Sequence, residues 1–125
     1  MRKLFRPWRS RRNWNWRDGR SAAVINPRFV KPLDREMLSQ YAHKVQAFVT
    51  FEDHVLMGGF GSAVLEALSE MGFHTPVVRI GWPDRFIEHG KVEALRAKHG
   101  ISVEAALEKL EPLLKPIPKR RLVAR

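Results

Sequence analysis

Residues 46–71, QAFVTFEDHVLMGGFGSAVLEALSEM, decide the fold. Gln46–Phe51 is rich in aromatic and β-branched side chains and reads as a strand, with Glu52, Asp53 and His54 at its carboxy end. Gly58–Met71 reads as a helix opened by glycines, with Val64, Leu65, Leu68 and Met71 as its apolar stripe and Gly72 as the residue just past its end. Downstream, Pro76–Ile80 predicts another strand, closed by Gly81-Trp82-Pro83-Asp84. Lys91–His99 predicts a helix stopped by Gly100. Ser102 then caps a last helix with Leu107, Leu110 and Leu114 inward, which Pro112 bends or ends. Upstream, Ala22–Val30 predicts a short buried strand cut by Pro27. Asp34 caps the helix REMLSQYAHK, and Leu33 and Leu38 are placed to form a hydrophobic staple. Strands alternating with helices indicate an α/β fold in three layers, α/β/α, around a mainly parallel sheet.

The length of 125 residues suits one compact domain, and 44% of the residues are hydrophobic. No apolar run approaches the roughly 18 residues that cross a bilayer, and no apolar h-region follows the basic start. With no cysteine in the chain, disulfides, thiolate catalysis and cysteine metal sites are excluded, as expected of a cytoplasmic protein. The net charge of +10 is unevenly spread. Residues 1–20 hold eight Lys/Arg and one acid, and residues 115–125 hold five Lys/Arg and no acid. Between them, 21–114 holds ten bases and twelve acids. The chain therefore divides into a basic Arg/Trp arm (1–20), a nearly neutral folded domain (21–114) and a basic tail (115–125). The arm shows neither the helical nor the strand period.

Three clusters could carry chemistry. Gly58, Gly59 and Gly61 follow a strand and open a helix, a place where amides can cradle phosphate. GGFGS fits neither the dinucleotide fingerprint nor the P-loop, however, and Glu52 and Asp53 beside it would repel an anion. Close backbone packing is the competing reading. The five histidines are scattered without the i, i+4 pair of a helical zinc site, so no metal ligand is assigned. Trp82–Gly90 (WPDRFIEHG) follows a strand where open α/β sheets bind ligands. Alternatively it is a structured loop in which Asp84 caps a turn and Phe86 and Ile87 plug the core.

Three segments resemble the 1-deoxy-D-xylulose-5-phosphate synthase family: AAVINPRFVKPLD (22–34), FVTFEDHVLMGGFGSAVLEAL (48–68), and VVRIGWPDRFIEHG (77–90) followed by LRAKHGISVEAALEKL (95–110). The resemblance is to the family's transketolase-like carboxy-terminal domain, and it implies a mainly structural part in a homodimeric enzyme. That enzyme condenses pyruvate with glyceraldehyde 3-phosphate, using thiamine diphosphate and magnesium, to make a precursor of isoprenoids, thiamine and pyridoxal phosphate. The family's cofactor-binding and catalytic motifs lie in its other domains. The resemblance therefore implies no catalytic, cofactor-binding or metal-binding residue here, and no cofactor bound by this chain alone. Glu52, Gly58, Gly59, Gly61, Ser62, Gly81, Pro83, Asp84 and Gly90 match the family and take structural or interface roles. Trp82 stands where the family usually has an aliphatic residue. The family's first strands have no counterpart here, because the Arg/Trp arm occupies their place. The chain is thus expected to be a fragment, inactive alone, whose partner is a second copy or the remaining synthase domains. Two alternatives use other residues: nucleic-acid binding through the basic ends and Trp8, Trp14 and Trp16, or a regulatory small-molecule site beside Gly58 and Asp84.

Overall fold

The structure is a computed structural model that describes residues 20–116. Most of them, Phe29–Lys115, form one compact unit. Its elements in chain order are α1 (Arg35–Ala42), β1 (Phe48–Val55), α2 (Phe60–Glu70), β2 (Val77–Trp82), α3 (Val92–Lys98) and α4 (Val103–Leu110), with a 3-10 turn over Glu111–Leu113. The two strands run parallel, Phe48 opposite Val77 through Phe51 opposite Ile80, with one irregularity before Val55 meets Trp82.

The helix ends follow the expected chemistry. The Asp34 carboxylate accepts from the Met37 N–H at 2.9 Å, and the Ser102 hydroxyl accepts from the Ala105 N–H at 3.1 Å. Gly72 and Gly100, just past α2 and α3, have φ of +80° and +69°, which an L side chain rarely adopts. The proline-bearing segment after α4 tightens into the 3-10 turn instead of continuing the α-helix.

Strand alternation gives the sheet two unlike faces. Phe48, Thr50 and Glu52 share one face with Val77, Arg79 and Gly81. There α1 and α2 pack, burying Leu38, Val64, Ala67 and Leu68, with Leu33, Phe48, Phe60, Phe73 and Val77 closing around them. Val78 and Ile80 point to the opposite face, where α4 lies on β2 and buries Ala106 and Leu110. Each fully buried aliphatic side chain, such as Leu68 or Ile80, contributes roughly 1.5–3 kcal/mol. Helices thus lie on both faces of a parallel sheet, the three-layer α/β arrangement.

Two readings need correction. Residues 20–30 hold no regular structure, and Val24, Phe29 and Val30 are exposed, so the expected first strand does not form. A strand needs a neighbour for its N–H and C=O groups; the described residues contain only two strands, paired with each other, and Pro27 removes a donor. Conversely, β1 continues past Phe51, so Glu52, Asp53 and His54 lie within the strand. No helix among the described residues is long and apolar enough to cross a membrane.

Candidate functional site

The glycine-rich turn between β1 and α2 is closed on itself by Glu52. Its carboxylate accepts from the Phe60 N–H at 2.9 Å and the Gly61 N–H at 2.7 Å, two first-turn amides of α2 that have no partner within the helix. Gly59, the residue before the helix, supplies no side-chain cap. A carboxylate reaching across from the preceding strand takes that place, where the helix dipole favours negative charge.

The glycines make room for it. A Cβ on Gly59 would stand 1.8 Å from Glu52 Oε1 and 2.5 Å from the Val55 carbonyl. On Gly81 of β2, it would stand 2.8 Å from Glu52 Cγ and 2.9 Å from Leu56 Cδ2. On Gly61, it would meet Thr50 Oγ1 at 2.7 Å and Arg79 Cδ at 2.8 Å. Gly58 has open space around it, but its φ of +67° suits glycine. The turn is fastened a second time by Ser62, whose hydroxyl donates to the Leu56 carbonyl at 2.9 Å. Arg79 Nη1 donates both to that carbonyl (3.1 Å) and to Ser62 Oγ (2.9 Å). Glu52, Gly59, Gly61, Ser62 and Gly81 thus come together, and Thr50, Leu56 and Arg79 join them although the sequence reading did not single these out.

Beyond the turn a polar network ties Asp53 to α3. Trp82 Nε1 donates to Asp53 Oδ1 at 2.7 Å, and Arg96 Nη2 donates to Asp53 Oδ2 at 3.0 Å. The Trp82 hydrogen bond, helped by Arg96 and opposed by burial, holds the Asp53 carboxyl below its ordinary range. The indole also meets the His99 ring edge-on at 5.7 Å. Trp82 in place of an aliphatic residue is therefore accommodated by a partner for its N–H. Glu88 pairs with Lys98 and lies 3.4 Å from His99 Nε2. The Lys98 bond, with lesser help from Glu88's own backbone amide and from His99, lowers its carboxyl from 4.5 to about 2.

The remaining matched residues stay apart from the turn. Pro83 lines a mainly apolar cleft of about 410 Å³ at the carboxy ends of β1 and β2, together with His54, Val55, Trp82, Arg85 and Leu95. Gly58 and Asp84 are not among its walls. Asp84 is exposed. Gly90 lies against Leu95, 3.4 Å from where its Cβ would be. Phe86 does not plug the core: it is fully exposed, at 105%. All of the basic arm but Arg20, including Trp8, Trp14 and Trp16, and most of the basic tail lie outside the described residues.

The described residues do not fit a diphosphate–magnesium pair. The amides that could receive phosphate are bonded to Glu52, whose charge would repel it, and no three carboxylate or imidazole groups converge among those residues.

The family described as transketolase, C-terminal domain, matches residues 16–105. The 1-deoxy-D-xylulose-5-phosphate synthase of Acidobacterium capsulatum is 72% identical over 98 residues, covering 78% of this chain and 16% of that enzyme. The synthase of Methylacidiphilum infernorum is 61% identical over 97 residues, 78% of this chain and 15% of that enzyme. The chain thus spans about a sixth of the curated relatives it matches. A solved structure described as "Split gene transketolase, inactive beta4 tetramer" superposes with a TM-score of 0.60 at 40% identity, over 67% of this chain and 27% of that one.

Two outcomes test the site. Glu52→Gln keeps one acceptor and turns an N–H toward the helix amides, so it should destabilise the fold by about 1–3 kcal/mol in urea unfolding; an unchanged midpoint would show that the cap is idle. Glu88 is acidified in the folded chain, so it favours folding above pH 4.5 and loses that effect as pH falls toward about 2. Thermal melts of Glu88→Gln should therefore lie below the parent at neutral pH and converge with it across that window; a constant gap would refute the assignment.

Proposed function

The chain belongs to the transketolase C-terminal domain family, and from that premise we propose that it is the carboxy-terminal domain of a 1-deoxy-D-xylulose-5-phosphate synthase, inactive alone, that completes and steadies an assembly carrying the other domains. The observation that carries this reading is the Glu52 carboxylate seated on the α2 amides. A turn shaped to bind phosphate would leave those amides open, whereas here they serve the domain's own integrity. The identities to two synthases, over most of this chain and a small part of theirs, support the same role. In the proposal, thiamine diphosphate and magnesium are held by the other domains. The product feeds isoprenoid, thiamine and pyridoxal phosphate synthesis, and the location is cytoplasmic. Glu52, Gly58, Gly59, Gly61, Ser62, Gly81, Pro83, Asp84 and Gly90 act as structural or interface residues.

The test uses the purified chain and the A. capsulatum synthase lacking its matching 98 residues. Given pyruvate, glyceraldehyde 3-phosphate, thiamine diphosphate and magnesium, the chain by itself should give no deoxyxylulose phosphate. Mixed with the shortened synthase it should form a complex, seen by light scattering after gel filtration. Turnover from the chain alone, or no association, would contradict the proposal.

A further inference from the structure

Among the described helices, α1, α2 and α4 are each held by buried residues and by a side chain on their first-turn amides. These are Leu38 and Asp34 for α1, Val64, Leu68 and Glu52 for α2, and Leu110 and Ser102 for α4. The helix α3 has neither: none of its residues is buried, and Lys91 at its start supplies no side-chain cap. What fastens it is polar and near the surface. Arg96 reaches Asp53 on β1, Lys98 pairs with Glu88 in the preceding loop, and His99 at the helix end sets its ring edge against Trp82. The side chains of both ion pairs are exposed, and such pairs add little to stability. Glycines flank the helix, Gly90 before it and Gly100, with its positive φ, after it. Val92 and Leu95 of α3 line the mainly apolar cleft at the carboxy ends of β1 and β2, together with His54, Val55, Trp82 and Pro83.

We propose that α3 is a lid on that cleft, closed by the Arg96–Asp53 and Lys98–Glu88 bonds, and that it opens as a unit about Gly90 and Gly100 to bare Val55 and Pro83. A segment with few buried apolar contacts and exposed polar attachments can open while the rest of the fold stays intact. Lids turn on a few residues at the ends of an element, where the two glycines stand here. Opening takes nothing from the core, since the buried residues on both faces of the sheet come from other elements. Leu95, which packs on Gly90, stays with the segment that moves. Arg96 is the latch from lid to strand, because Asp53 is a residue of β1.

Amide hydrogen exchange of the whole chain reads the lid. Leu95 and His99 donate their N–H groups to the Lys91 and Leu95 carbonyls, and both should exchange at least about tenfold faster than the Leu68 and Leu110 amides. Arg96→Gln should speed both by one common factor of about two to five and leave Leu68 and Leu110 unchanged. Arg35→Gln, which breaks the exposed Arg35–Glu70 pair between α1 and α2, should alter neither rate in α3. Because the chain has no cysteine, a Val55→Cys variant probes the cleft. Its thiol should react with dithionitrobenzoate about two- to fivefold faster when Arg96→Gln is added. Amides of α3 as slow as those of α2 would overturn the lid, as would rates graded along α3 or a speeding shared by Leu68 and Leu110. So would a Val55→Cys reactivity that Arg96→Gln leaves unchanged.

Discussion

A single carboxylate links the two elements on which this domain is built. Glu52 belongs to β1 but completes α2, and the contact imposes several conditions at once. The strand must stay extended through Glu52, the turn must be short, and Gly59 and Gly81 must lack side chains where the Glu52 side chain passes. Gly61 answers to a different neighbour, the Thr50 hydroxyl and the Arg79 stem. Arg79 in turn reaches from β2 to the Leu56 carbonyl, so turn, helix and both strands are held as one unit. A helix N-terminus satisfied in this way costs no ligand and offers none a place.

Much of this is legible in the sequence because it is local. The caps at Asp34 and Ser102 and the glycines past α2 and α3 each depend on residues a few positions apart and form as their spacing predicts, whereas of the expected α2 stripe Val64 and Leu68 are buried and Leu65 faces solvent. Glu52 and the glycines are neighbours in sequence too, but their proximity suggests first the repulsion of an outside anion. That the carboxylate itself takes the amides is a consequence of a strand–turn–helix of this length, and so is within reach of sequence reasoning. The Trp82–Asp53–Arg96 network is not, because its members lie far apart in sequence and only the parallel pairing of β1 with β2 brings them together. The same non-locality explains the strand that fails to form: Ala22–Val30 has the composition of a strand, but strands exist only in pairs. Phe86 shows the converse error, an apolar residue assigned to a core that closes without it.

The resemblance and the geometry bear on different questions. Identity to synthases over most of this chain says which larger protein such a domain suits. The geometry says what the domain contributes there: a stiff glycine turn, one covered sheet face, and a second face covered under β2 but bare under β1.

Whether the Glu52 cap organises the turn is read most directly from the amide exchange of Phe60 and Gly61 in the chain by itself. First-turn amides of a helix ordinarily exchange freely with water. Bound to Glu52, these two should exchange as slowly as the amides in the middle of α2. Rates typical of an uncapped helix start would mean that the carboxylate is elsewhere and that the glycines need another explanation.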